Sequence, residues 1–244
     1  MKLCLVMPAF NEADCIASVV QNWIKGVSEL FASVSEDFRV IVVNDGSKDN
    51  TGHILDSLGR REKHLVVVHQ KNGGHGKALL TAYEKALEFS PEWVFHVDSD
   101  DQFKPSDFKK IWDLRATSKF LMGCRVQRHD PLHRLIITRI MRSLVFLFFG
   151  AFLKDANIPF RLIRTDYLRK LLKALPSNVF APNIFLSVLA AKDGQDLKFI
   201  PVTHEERKTG QVSIVKWGLI KVCIRSAREL LFFRFSVGSR VKSL

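Results

Sequence analysis

Along the N-terminal part of the chain, short apolar runs break one after another into polar loops. Leu3–Met7, Phe38–Val43, Leu65–His69 and Trp93–Val97 are continuous apolar stretches, rich in β-branched residues and of the length of buried strands. Each gives way at once to polar residues: Pro8–Glu12, Asn44–Thr51, Gln70–Lys77 and Asp98–Gln102. Helical periodicity follows the loops, over Ala13–Phe31, over Ala78–Phe89 and from about Ser106. Continuous apolar strands alternating with helices predict an α/β fold, a mostly parallel sheet covered on both faces. In such sheets ligands bind outside the carboxyl ends of the strands, so all four polar loops are expected at one edge and at one site.

The C-terminal pattern is different. On a helix starting near Ser213, Trp217, Ile220, Ile224, Ala227 and Leu231 share an apolar face beside a basic stripe of Lys221, Arg225 and Arg228, followed by Phe232-Phe233-Arg234-Phe235. Two readings fit: an amphipathic helix lying in a bilayer interface, which we favour, and a core-packed helix with a solvated basic face. Leu144–Leu153 is also very apolar, but a crossing segment needs about 20 residues. It reads as a buried helix or as a finger partly embedded in lipid. No transmembrane helix is expected, and the chain enters a strand at once, leaving no room for a signal peptide. The pattern predicts a peripheral or monotopic protein at the cytoplasmic face of a membrane.

Composition adds two constraints. With 244 residues and 47% hydrophobic content the chain can bury a full core. Its four cysteines, Cys4, Cys15, Cys124 and Cys223, lie far apart and form no C-x-x-C pair, which argues against disulfides and structural zinc. The net charge of +12 is unevenly spread: residues 1–124 hold 15 Lys+Arg against 17 Asp+Glu, and residues 125–244 hold 22 against 8. A basic half attracts phosphate or an anionic membrane surface, while the acidic first half argues against a nucleic-acid partner.

The loop after Trp93–Val97 carries the sharpest chemistry. Asp98, Asp100 and Asp101 crowd a strand end, where carboxylates repel one another unless a cation sits among them. Asp98-x-Asp100 with Gln102 offers the oxygen ligands that Mg²⁺ or Mn²⁺ takes when it also binds substrate phosphates.

Taken together, Pro8-Ala9-Phe10-Asn11-Glu12, Asn44-Asp45-Gly46-Ser47-x-Asp49, Asn72-Gly73-Gly74-x-Gly76-Lys77 and Asp98-x-Asp100-x-Gln102 resemble the family-2 glycosyltransferases, which have the GT-A (Rossmann-like) fold. Gly123-Cys124-Arg125, Asp155-x4-Phe160-Arg161 and Arg207-x2-Gly210-x2-Ser213 resemble the branch that loads sugars onto polyprenyl phosphates. The resemblance runs in order from Leu3 to about Ser213. It implies a glycosyltransferase domain over 1–212, with a nucleotide-sugar-binding half (1–124) and an acceptor half (125–212), followed by the basic helix 213–244. The implied reaction is an inverting, metal-dependent transfer from a UDP or GDP sugar to a polyprenyl phosphate.

The resemblance also implies residue roles. Pro8, Ala9 and Glu12 line the base and ribose pocket, Asp45 meets the base, and Lys77 lies near the nucleotide. Asp98 holds the nucleotide side, and Asp100 and Gln102 ligate Mg²⁺ or Mn²⁺. Arg125 and Arg207, with Lys208, bind the diphosphate or the acceptor phosphate. A second cation beyond Arg125 is expected at His133 or Arg134, with Arg134 preferred. Asn44 stands where the family often has aspartate.

One absence in the sequence bears on the acceptor. Enzymes that glycosylate a hydroxyl need a general base, yet Tyr167–Lys192 contains no Asp or Glu. A lipid phosphate is already an anion and needs no base. Two other classes stay open: a soluble glycan-elongating transferase, against which the acid-free stretch argues, and a non-catalytic anion- or phospholipid-binding module, against which Asp98, Asp100 and Gln102 argue. The lone histidines His64, His69 and His96 are expected to be surface or satisfied interior groups, and truncation after Ser213 is expected to spare the nucleotide site if the remaining core survives.

Overall fold

The computed structural model describes residues 1–32, 36–126, 132–176, 179–194, 197–206, 216–242 and 244, without the side chains of 132–137 and 216–223. The four apolar runs form β1 (Leu3–Ala9), β2 (Phe38–Asp45), β3 (Leu65–Gln70) and β4 (Trp93–Val97). They pair in the order β3-β2-β1-β4, every neighbour parallel. Strands β1 and β4 are buried along their whole length because helices cover both faces, and the edge strand β3 is only half-buried.

Three more strands, β5 (Phe120–Arg125), β6 (Phe160–Arg164) and β7 (Lys198–Val202), extend the sheet in the order β4-β6-β5-β7. Strand β6 runs antiparallel to both β4 and β5, and β7 is parallel to β5. The chain therefore folds as the pattern predicts, into a seven-stranded, mostly parallel α/β sheet. The strand that ends the first half, β5, lies between two strands of the second.

The helices are α1 (Ile16–Phe31), α2 (Thr51–Gly59), α3 (His75–Glu88), α4 (Pro105–Asp113), α5 (Leu132–Phe149), α6 (Thr165–Ala174), α7 (Pro182–Lys192) and α8 (Lys216–Val241). Helix α1 buries Ile16, Val19, Val20, Trp23, Val27 and Phe31, the three-and-four spacing of one helical face. Trp23 meets Phe95 at 5.5 Å between ring centroids, and Phe95 meets Phe108 at 4.7 Å and Phe160 at 4.8 Å. This aromatic cluster locks α1 and α4 to the sheet centre.

Helix α7 is apolar all round and correspondingly buried, packed among α3, α6 and α8. Fully buried Arg161 fastens it to β6. Its guanidinium donates to the carbonyls of Ile158, Asn183 and Ala156, each at 2.7 Å. Burial pushes its pKa down to about 10, so it stays charged at neutral pH.

Helix α8 has two apolar faces. Leu230, Phe233 and Val237 are buried against the core, with Phe233 tilted against Phe149 and edge-on to Phe185. Ile224, Leu231, Phe232 and Phe235 are exposed. The described part of the expected apolar face, Ile224 and Leu231, is thus exposed, and a neighbouring face packs on the core. Truncation after Ser213 would remove α8 and uncover core residues, so survival of the nucleotide site depends on the remaining core staying folded without it. Leu144–Leu153 divides in the same way, with Val145, Phe149 and Leu153 buried and Phe146, Leu147 and Phe152 exposed. Among the described residues no helix is long and apolar enough to cross a membrane.

Candidate active site

The four loops do meet at one edge, fastened by side chains of one loop bonding the backbone of another. In the loop after β1, Asn11, Glu12 and Ala13 donate their amides to Ser47 Oγ (3.0 Å), Thr51 Oγ1 (2.9 Å) and Asp49 Oδ2 (3.1 Å) of the loop after β2. Asp49 also accepts the Thr51 amide at 3.0 Å, satisfying an orphan donor at the start of α2. These bonds outweigh the effect of burial and hold its carboxyl below the usual carboxylate range.

Asp45, at the end of β2, plays the same part toward the glycine loop. It is buried, and its carboxylate accepts from Gln70 Nε2 (2.6 Å) and from the amides of Gly73 and Gly74 (both 2.8 Å). Gly46, with φ of +66°, lets the chain turn there, and a Cβ on it would stand 2.6 Å from the Asn72 amide nitrogen. The glycine loop runs straight into α3, which starts at His75, three residues before the sequence pattern places it. Gly74, with φ of +87°, makes the turn, so His75, Gly76 and Lys77 form the first helical turn, where amides face outward and favour anions.

At the end of β4, Asp98 Oδ1 lies 3.4 Å from His96 Nε2 and 3.7 Å from His75 Nε2. Burial alone would raise the Asp98 carboxyl; His75, His96 and Arg125 outweigh it and hold the pKa below the ordinary value. Burial pushes His96 down to about 4, so the ring is neutral at pH 7. Asp101 turns aside to Lys104, 3.3 Å away, so only two of the three crowded carboxylates face the question of a cation. Gln102 bonds Asp100 Oδ1 through its amide (3.3 Å) and Glu205 O through Nε2 (3.0 Å), and Glu205 returns its own amide to Gln102 O (2.9 Å). Carboxylate and side-chain amide oxygens on one short loop are the donor set a hard divalent cation takes.

Beside the glycine loop opens a cavity of about 850 Å³, walled by α3, α5, α7 and α8. Its cations are Lys77, Arg125, Arg142, Lys154 and Arg225, and Leu80, Met141, Val145, Leu153 and Ile184 supply an apolar wall. Asp155 is the one acid among the described lining residues. It is nearly fully buried and takes a bidentate pair from Arg125, Nε at 2.8 Å and Nη2 at 3.1 Å. Phe180 joins this cavity to the donor edge. Glu229 of α8 accepts its amide at 3.0 Å, Arg225 stacks on its ring at 4.8 Å, and a Cβ on Gly76 would stand 2.3 Å from its carbonyl oxygen.

The structure thus gathers Pro8, Ala9, Glu12, Asp45, Asp98, Asp100 and Gln102 at one sheet edge, and Lys77 and Arg125 on the adjoining cavity. Arg207 and Lys208 lie outside the described residues, as do the side chains of His133 and Arg134. Asn44 is structural: its amide bonds Ser47 N and His69 Nδ1. Sequence reasoning missed Arg142, Arg225 and Glu229, which helical periodicity places only on solvated faces, and Lys154, which lies in the turn after α5. It also misread His96. His64 and His69 have partners, but His96 is fully buried with neither ring nitrogen hydrogen-bonded.

Comparison with known proteins shows the family. UDP-N-acetylglucosamine–dolichyl-phosphate N-acetylglucosaminyltransferase of Methanococcus voltae is 24% identical over 218 residues, covering 81% of this chain and 83% of that protein. Polyprenol monophosphomannose synthase of Mycolicibacterium smegmatis is 24% identical, covering 84% and 78%. Glucosyl-3-phosphoglycerate synthase of Mycobacterium tuberculosis, solved with Mn²⁺, UDP-glucose and glycerol 3-phosphate, superposes with a TM-score of 0.67 at 18% identity, over 96% of this chain and 79% of that one, a likeness of fold. The profile of the family described as glycosyl transferase family 2 matches residues 4–174, and the chain belongs to that family of enzymes.

Proposed function

We propose that the protein transfers a sugar, with inversion, from a nucleoside diphosphate sugar to a polyprenyl phosphate at a membrane surface. The carrying observation is the cavity beside the glycine loop, cationic and apolar together, with its only described acid already bound to an arginine. An acceptor with an anionic head and a hydrocarbon tail matches both properties. The relatives from M. voltae and M. smegmatis, named for dolichyl phosphate and polyprenol, support the reading.

In this reading the acceptor phosphate oxygen attacks the anomeric carbon while the bond to the diphosphate breaks. No proton need leave the nucleophile, so no base is required. Arg125, held in place by Asp155, directs its charge into the cavity, and Arg142, Lys154 and Arg225 screen the repulsion between two anions. Asp100 and Gln102 would hold Mg²⁺ or Mn²⁺, which neutralises charge on the leaving diphosphate. Pro8, Ala9, Glu12 and Asp45 shape the nucleoside pocket, and Asp98 meets the nucleotide side. Arg134, Arg207 and Lys208 remain proposed phosphate contacts on the resemblance alone.

The membrane reading rests on a patch of exposed apolar side chains on α5, α8 and the turn between α5 and β6. Phe146, Leu147, Phe152, Phe232 and Phe235 are each more than half exposed. Arginines lie among them: Arg142 stacks on Phe152 at 4.3 Å, and Arg234 donates to Leu147 O at 3.2 Å. Aromatic and basic residues side by side suit an anionic lipid interface.

The test offers purified enzyme a nucleotide sugar with either a polyprenyl phosphate or a free sugar hydroxyl. Transfer to the phosphate is expected, with no pH optimum set by a general base. Efficient transfer to the hydroxyl alone would establish the soluble elongating enzyme instead.

A further inference from the structure

Three neighbouring polar groups under the glycine loop have no hydrogen-bond partner: the Tyr83 hydroxyl, both ring nitrogens of His96 and Asp98 Oδ1. Leaving a buried polar atom unpaired forfeits its solvation with nothing in return, so a cluster of such atoms at a site points to a ligand. His96 is central to it. It lies in a strand, wholly shielded from solvent, edge-on to Tyr83 at 5.9 Å and tilted to His75 at 6.5 Å.

The distances say which ligand. Ligand atoms of His75, His96 and Asp98 all lie within 4.8 Å of one another. In a tetrahedral site with bonds of roughly 2.0–2.2 Å, neighbouring ligand atoms stand about 3.4 Å apart. The two nitrogen-to-oxygen separations here are 3.4 and 3.7 Å. His75 is half exposed on the first turn of α3 and has room to adjust. Two imidazoles and one carboxylate suit borderline ions such as Zn²⁺, Co²⁺ or Ni²⁺, whereas Mg²⁺ and Mn²⁺ prefer oxygen.

We infer that His75, His96 and Asp98 form a site for a borderline transition ion of the zinc class, distinct from the oxygen site of Asp100 and Gln102. The three residues leave a fourth position for water, as in open zinc sites. Binding would seize Asp98 and pin the glycine loop to β4 through His75. Its consequence for turnover rests on the proposed role of Asp98 at the nucleotide: zinc-class ions inhibit by withdrawing that carboxylate from the donor.

Cobalt(II) is the probe, because its visible absorption separates tetrahedral from octahedral sites. Full-length protein without nucleotide is titrated with Co²⁺, and Zn²⁺ is then added in competition. An intense tetrahedral spectrum at one equivalent is expected, displaced by Zn²⁺ and not by Mg²⁺. His75→Ala, exposed and safe for folding, should weaken binding about tenfold or more, and Asp100→Asn should leave the spectrum intact. A weak octahedral spectrum, or binding unchanged by His75→Ala, would overturn the site and leave ordered water as the partner of these atoms. In turnover assays with saturating Mg²⁺, His75→Ala should need at least tenfold more Zn²⁺ for half-inhibition. Equal sensitivity, with the spectroscopic difference present, would overturn the inhibitory role alone. Failure of the donor reading is seen separately, as donor binding that survives Asp100→Asn.

Discussion

The donor edge and the neighbouring cavity differ in where their polar groups find partners. At the donor edge, acids and hydroxyls of one loop are spent on amides of the next: Asp45 on Gly73 and Gly74, Asp49 on Ala13 and Thr51, Ser47 on Asn11. Among its described lining residues the cavity instead sets five cations against one paired acid, and it continues into exposed phenylalanines. The first arrangement preorganises a pocket for a ligand of fixed shape. The second suits a charged head on a tail of variable length, where surplus charge and apolar area matter more than register.

The comparison fails most visibly if the donor edge does not hold a cation. Asp100→Ala is expected to lower turnover by about 10³-fold or more and to abolish metal-dependent donor binding in calorimetry, with an unchanged far-UV spectrum. Near-normal turnover in Mg²⁺ or Mn²⁺ would remove the metal from Asp100.

Arg125 joins the two regions and tests both. Arg125→Ala takes a bidentate partner from the buried Asp155 carboxylate, and losing such charge-assisted hydrogen bonds costs about 1.5–3 kcal/mol. Urea unfolding should show that loss together with a large fall in turnover. Arg125→Lys, which keeps charge without the bidentate fork, should recover part of each. If Arg125→Ala unfolds like wild type, the pair contributes nothing to the cavity wall.

Asp45→Ala sharpens the donor side alone. Losing charge-assisted bonds to two amides should destabilise by about 2–3 kcal/mol and raise the donor KM while the acceptor KM stays put. A matching rise in acceptor KM would mean that the two regions are not separable in function. Phe232→Ser with Phe235→Ser sharpens the other side. Both are exposed, so stability should change by less than about 0.5 kcal/mol per site while binding to anionic vesicles drops severalfold. Vesicle binding that persists would move the membrane contact away from α8.

The smallest effect concerns Asp49. Its folded pKa is depressed, so its stabilisation is present above the ordinary carboxylate value of 3.8 and is lost as pH falls through the lower folded value. Asp49→Ala should cost about 1 kcal/mol at pH 7, and the difference from wild type should shrink as pH falls below 3.8 and through the lower folded value. A gap that does not narrow on acidification would assign the loss to packing.

Much of the donor side was legible because strands and turn residues write their constraints locally. A continuous apolar run predicts a buried parallel strand, and polar residues after it predict the edge, so Pro8, Asp45 and Asp98 could be placed together. The cavity was less legible. Arg142 and Lys154 come from α5 and the turn after it, Arg225 comes from α8, and their convergence depends on how α5 and α8 pack, which no local pattern encodes. His96 was misread for a related reason: an isolated histidine in an apolar strand does not reveal whether its nitrogens find partners. Arg161 resembled a family motif residue by spacing, and its packing role emerged only from the three carbonyls around it.

The placing of β6 between β4 and β5 decides how chimeras of such enzymes should be cut. Exchange at the 124/125 boundary would take β6 and β7 from one parent and β5, which pairs with both, from the other. A crossover after α4, near Leu114, moves β5, β6 and β7 as a block and leaves β4 against β6 as the one hybrid strand pairing. Acceptor specificity should therefore travel between relatives with the whole three-stranded block and the helices packed on it, and libraries joined at the apparent half-way point should be poor in folded members.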